Sequence, residues 1–273
     1  MNFQDIAKKY KDMNFLDQRA IKLGEKENSQ ILVLLDISPL GVMVKEKLDD
    51  YKYRVEPLDS DKSEKFADLF VKTEGKISGL IKKDKDEKLF VEIFDKKDTG
   101  FGDLLEVCDN MEIDGDNLYG NNLETLVPLF IGESLKDNAD VRIVNKTLCG
   151  ENGLKDVVRC VNPKYLIMVS LVNENENCKT SKGTIITVKD GNAVVSKDMI
   201  EKLEEIAERE KIDTQLYVGK ESDLLEKVSL AGANSKFCQV CIPVVYKNEK
   251  ISKINLKDIE KTIKLLLKTV CEL

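Results

Sequence analysis

Apolar and polar positions along the chain fall into three textures. Near the start, Phe3 to Met13 carries helical spacing. Ile31-Leu32-Val33-Leu34-Leu35 is then a short, unbroken apolar run bounded by polar residues, the signature of a buried strand, and Gly41 to Lys45 continues extended. From about Glu46 to Asp114 short β-like runs alternate with charged turns: Tyr51 to Val55, Leu69 to Lys72, Lys76 to Ile81 and Leu89 to Phe94. Closely spaced short strands predict a small β-barrel or sandwich, here an inserted domain over 46–114. After Gly115 helices and strands alternate, so residues 1–45 and 115–273 together form an α/β domain.

Within that third texture, Leu123 to Leu135 reads as a helix, with Pro128 as a kink or a first-turn residue. Strands are predicted at Val141 to Leu148, Tyr165 to Val172, Gly183 to Val188, Thr214 to Val218 and Lys236 to Tyr246, with Lys189-Asp190-Gly191 as a turn. Ser196 is placed to cap a helix running to Arg209, and Glu221 to Leu230 forms another. The last helix starts at Asn255, with Asp258 three residues on in a capping-box-like arrangement. Strands alternating with helices predict a mostly parallel sheet covered on both sides.

Composition narrows the chemistry. With 43 basic and 50 acidic residues, a net charge of −7 and no basic patch, the chain is not suited to nucleic acid. No apolar run reaches the roughly 18 residues of a membrane span, and the N-terminus has no apolar signal core, so a cytoplasmic protein is expected. The seven cysteines are scattered. Cys238 and Cys241 match C-x-x-C, but residues three apart on a strand face opposite ways, so buried thiols are expected there instead of a metal or redox pair. Histidine is absent. That removes Ser-His-Asp and Cys-His catalysis and any zinc site built on imidazole.

Leu230-Ala-Gly-Ala, Val240-Cys-Ile-Pro-Val-Val-Tyr246 and Ile254-Asn-Leu-Lys-Asp-Ile-Glu-Lys-Thr-Ile-Lys-Leu-Leu266 follow one another in a pattern that resembles the end of a known family: the tetrahedral (TET) and deblocking aminopeptidases and endoglucanase-M-like proteins, dinuclear zinc metallopeptidases. Upstream, Leu34 to Val44, Gly115 to Thr125, Glu151 to Leu154 and Pro163 to Leu171 resemble the family's other anchors in the same order, so the likeness spans nearly the whole chain. It implies a phosphorylase/hydrolase-like three-layer αβα sheet with a small inserted β-barrel. It also implies a cleft in which two metal ions polarise the substrate carbonyl and acidify a bridging water, with a glutamate as general base.

Carried over residue by residue, that machinery is depleted. The first histidine ligand falls on Asp36 and the aspartate that orients it on Ser38. The bridging aspartate falls on Glu124. The general base falls on Gly150 and the adjacent ligand on Glu151. The strand aspartate falls on Ser170, and the final histidine on Asn248. The resemblance thus implies a degenerate member in which peptidase activity is lost and two zinc ions are not expected. At most the residual carboxylates Asp36, Glu124 and Glu151 would hold one Mg or Ca ion, which prefer oxygen ligands. Cys149-Gly-Glu-Asn-Gly153 lacks the Lys-Ser/Thr of a phosphate loop and reads as a turn before a helix. The leading expectation is a structural or regulatory subunit, self-assembled or paired with an active paralogue. The rivals are a metal-dependent aminopeptidase with an oxygen-only site and a module that binds a peptide or small ligand in the old cleft.

Overall fold

The computed structural model describes residues 22–24, 29–37, 41–58, 66–73, 76–94, 99–108, 111–137, 140–145, 150–219, 223–231, 234–246 and 251–273. The helix expected over Phe3 to Met13 lies outside them.

Strands β1 (Lys22–Gly24) and β2 (Ile31–Leu35) open the described chain. Every side chain of β2 is buried, as its unbroken apolar run requires of a strand covered on both faces. The next six strands are β3 (Gly41–Lys47), β4 (Lys52–Pro57), β5 (Phe70–Thr73), β6 (Lys76–Lys83), β7 (Leu89–Ile93) and β8 (Leu104–Val107). They close into an antiparallel barrel in the order β3-β4-β7-β6-β5-β8, with β8 returning to β3. Closure leaves no open edge. Alternate residues such as Val42, Val44, Val71, Val91, Leu105 and Val107 fill a core of its own. On the other side of β5 and β8, Lys72 lies opposite Glu106, with Nζ 3.1 Å from Oε1 and side chains only 6% and 0% exposed.

Strands β9 (Met111–Asp114) and β10 (Asn117–Gly120) form a hairpin that belongs to the second, larger sheet. Its two-residue turn, Gly115-Asp116, holds Gly115 at φ +57°, which suits glycine at the first turn position. The chain continues through α1 (Leu123–Lys136), β11 (Arg142–Asn145), α2 (Gly150–Val161), β12 (Tyr165–Asn173), β13 (Thr184–Asp190) and β14 (Ala193–Val194). It ends with α3 (Lys197–Glu210), β15 (Thr214–Val218), α4 (Asp223–Ala231), β16 (Lys236–Tyr246), β17 (Ser252–Asn255) and α5 (Leu256–Glu272). Pro128 sits well inside α1 instead of in its first turn. Lacking an amide hydrogen, it cannot bond the carbonyl of Glu124 one turn earlier.

The large sheet runs β1-β11-β2-β12-β16-β17-β10-β9, and β13 branches from β16 with β14 and β15 beside it. Strands β11, β2, β12 and β16 are mutually parallel. The eleven-residue β16 is shared: Val240 and Cys241 pair with β13, and Val244 to Tyr246 pair with β17. Helices α1, α3 and α5 pack together in one layer, and α2 packs on α4 in another. The core between and around them draws on Leu32, Leu34, Ile131, Ile167, Val240 and Leu266. Among the described residues no helix is long and apolar enough to cross a membrane.

Two local expectations change in detail. Ser196 does precede α3, but its hydroxyl makes no capping bond; Oγ accepts from the Phe237 amide at 2.9 Å and so ties the helix start to β16. Asn255 caps α5 by accepting from Lys257 N at 3.0 Å. Asp258, however, is not part of a capping box. Its fully buried carboxylate accepts from the amides of Ser181 and Gly183 at 2.7 and 2.9 Å.

Candidate functional site

The carboxyl ends of β2, β12 and β16 lie side by side, the usual ligand position of an α/β sheet. Asp36 follows β2 and donates its amide to Val169 O at 2.8 Å, which brings it abreast of Ser170 on β12. Ser170 is in register with Cys241 on β16, and Gln239 stands two residues earlier on the same face. These side chains form one network. Gln239 Nε2 donates to Ser170 Oγ at 2.8 Å. Ser170 Oγ also lies 3.2 Å from Cys241 Sγ, which in turn lies 3.6 Å from Thr187 Oγ1. Burial pushes the Cys241 thiol up to about 12, and nearby Asp190 and Asp36 add to the rise. A thiol held protonated in this way is a poor nucleophile. Burial also lifts Cys238 to about 12; it packs in the main core while Cys241 joins Cys178 and Ile185 on the opposite face.

Above this row opens a cleft of about 620 Å³, whose lining includes Asp36, Ser170, Gln239, Asp190, Tyr217 and Asn175. Its far side is the end of β15. A Cβ on Gly219 would stand 2.1 Å from Asp190 Oδ1 and 2.7 Å from the Tyr217 hydroxyl oxygen, so the absence of a side chain there lets both groups close over the backbone.

The near wall is the segment between β12 and β13, fixed by its own polar groups. Asn175 Oδ1 accepts from the amides of Asn177 and Cys178 at 2.9 and 3.1 Å. Glu174 accepts from Thr180 N at 3.1 Å and Thr180 Oγ1 at 2.9 Å, and pairs with Lys179 at 3.2 Å. Gln215 on β15 clamps the same segment, accepting from Lys179 N at 2.7 Å and donating to Gly183 O at 3.0 Å. Asp258 holds its end from below through Ser181 and Gly183. Burial raises the Asp258 carboxyl above its ordinary value despite those two amides.

The Thr180 amide, with the hydroxyl and Lys179, holds the Glu174 carboxyl below its ordinary value of 4.5. A depressed folded-state value stabilises the protein above the unfolded value, and that contribution fades as pH falls through the folded one. Glu174→Gln is therefore expected to cost about 1 kcal/mol near neutrality. The difference should shrink as urea titrations are taken below pH 4.5. A constant difference across that range would assign it to packing.

Of the positions singled out in the sequence, Asp36 and Ser170 meet in this cleft. Glu124, in the first turn of α1, does not line this cleft. Gly150 and Glu151 begin α2, where the Glu151 side chain is not among those described, and Ser38 and Asn248 lie outside the described residues. Among the described residues no group of three or more cysteine, aspartate or glutamate side chains gathers at metal-binding spacing. Sequence reasoning missed Gln239, Tyr217 and Asp190. Gln239 could have been flagged as the lone amide in an apolar strand. Asp190, read as part of a turn, is the buried last residue of β13.

Comparison with known proteins bears on this arrangement. Residues 149–265 match the family model of M42 glutamyl aminopeptidase. No curated protein matches the chain in sequence. Among solved structures, the TET1 peptidase of Pyrococcus horikoshii, which can assemble into a tetrahedron or a large octahedral shell, superposes with a TM-score of 0.79 at 19% identity, covering 100% of both chains. An aminopeptidase from the archaeon Desulfurococcus kamchatkensis gives 0.71 at 17% identity over 98% of this chain and 88% of that one. An endoglucanase from Thermotoga maritima gives 0.71 at 16%, over 98% and 90%. The M42 glutamyl aminopeptidase pattern thus runs through residues 149–265, and the fold of the chain is similar to that of the TET peptidases.

Proposed function

We propose that this homologue has lost metal-dependent peptidase activity and serves in the cytoplasm as a structural or regulatory subunit. The observation that supports this most is the end of β12. The resemblance assigns a terminal aspartate ligand to that position, and Ser170 stands there with its hydroxyl drawn into the Gln239 and Cys241 network. A neutral hydroxyl contributes no charge toward a dication, and the chain has no imidazole to make up the difference. At the base position Gly150 has no side chain to take a proton from water. This donor set does not fit a bridged zinc pair. Asp36, Glu124 and Glu151 would suffice for at most one Mg or Ca ion.

What survives is the scaffold, a closed barrel and a complete α/β sheet. The large shells formed by the TET1 peptidase favour assembly of this chain too, with itself or with an active paralogue. Purified protein supplied with zinc, cobalt or magnesium is expected to release no product from aminoacyl anilides, and elemental analysis is expected to find fewer than two ions per chain. Light scattering should give a mass above that of one 30.9 kDa chain. Two retained ions per chain together with turnover would overturn the reading.

A further inference from the structure

The chain changes sides at β2. From β2 it reaches β11 by way of the barrel and α1. From β11 it crosses by way of α2 to β12, on the other side of β2, and α1 and α2 belong to separate helix layers. The crevice between the carboxyl ends of β2 and β12 is therefore a topological switch point, where sheets of this kind take up small molecules and meet ribose hydroxyls with a carboxylate. In the near wall, Glu174 and Asn175 are engaged in holding the segment together. The side chains of Asn173, Glu176 and Asn177 take no part in those bonds, and all three are exposed and line the cleft. Two carboxamides that both donate and accept thus stand with an acceptor-only carboxylate on a fixed wall. On the far side, Tyr217 and the 60% exposed Val218 offer an apolar surface. Asp36 and Asp190 add further carboxylates to the lining.

From this we infer that the cleft binds an uncharged nucleoside, its ribose diol donating to the Glu176 carboxylate and its base exchanging hydrogen bonds with the Asn173 and Asn177 carboxamides. A carboxamide can meet a base edge with two bonds at once, as asparagine does with adenine. The face of the base rests on Val218 and Tyr217. Three carboxylates in the lining oppose a phosphate, so the nucleoside is favoured over its nucleotide. A volume of about 620 Å³ admits the molecule whole. The inference rests on the reading that the cleft no longer holds catalytic metals, and it gives a regulatory subunit its ligand.

The test is calorimetric titration of the chelator-treated full chain with adenosine and uridine. Their 2′,3′-dideoxy and 5′-monophosphate forms, methyl β-D-ribofuranoside and trialanine serve as comparisons. Saturable binding of at least one nucleoside is expected, weakened about tenfold or more when the diol is removed. The monophosphate and the riboside should bind more weakly than the nucleoside. Glu176→Ala should abolish the preference for the diol, and Asn177→Ala should weaken the nucleoside and its dideoxy form alike. Both side chains are exposed and hold nothing in the wall, so both variants should melt with the parent. Absence of binding by both nucleosides, indifference to the diol, binding unchanged in both variants, a riboside as tight as the nucleoside, a tighter monophosphate, or binding of trialanine alone would overturn the inference. A separate assay with zinc and an aminoacyl anilide reports on the loss of catalysis, so that reading can fail while the nucleoside result on metal-free protein still stands.

Discussion

Gly183→Ala is expected to destabilise the protein by about 3 kcal/mol or more, a drop of roughly 10 °C in melting temperature. Gly183 precedes β13 with φ +97°, a conformation that side chains disfavour. A Cβ there would stand 2.0 Å from the Asp213 carbonyl oxygen and 2.5 Å from its carbon. That obstacle is backbone and cannot swing aside as a side chain would. The same glycine donates to Asp258 and accepts from Gln215, so relief by moving the segment would sacrifice bonds that hold the cleft wall. Thermal and urea unfolding of the variant measure the effect. A melting temperature within a degree or two of the parent would show that the wall is not anchored here.

The second large effect is expected in the barrel. Lys72→Met should cost about 3–5 kcal/mol, because it leaves the wholly buried Glu106 carboxylate without its cation. Pairing that change with Glu106→Leu should recover most of the loss, since removing both charges also removes their desolvation cost. Urea denaturation of the two single variants and the double variant forms a cycle whose coupling gives the pair's worth. If the double variant is no more stable than Lys72→Met alone, the ion pair is not the source of the cost.

Much of the α/β frame was legible because its signals are local. Thr214–Val218 and Lys236–Tyr246 are strands with the limits their apolar patterns gave, and Asn255 caps the last helix as its side chain suggested. What escaped depends on partners distant in sequence. Gly41 onward does run extended, but nothing nearby says that β3 pairs with β4 and β8 in the barrel and not with β2. Asp258 fits a capping box by spacing, yet amides seventy-odd residues upstream claim its carboxylate. In the cleft, Asp36 and Ser170 were found through the resemblance. Gln239, Tyr217 and Asp190 fall on no motif, and only the meeting of β13, β15 and β16 makes them neighbours.

The order of pairing has a consequence for the chain's birth. The barrel's strands are consecutive in sequence and close on one another, so all of its partners have left the ribosome once Val107 emerges. Ile31, by contrast, has to wait for Tyr165, and that strand for Lys236, before the central sheet can form. At translation rates of about 5–20 residues per second, β2 spends several seconds as an exposed apolar stretch beside an already folded neighbour. Trigger-factor-like holding of that stretch during synthesis would then matter more to the yield of native protein than anything that happens to the barrel.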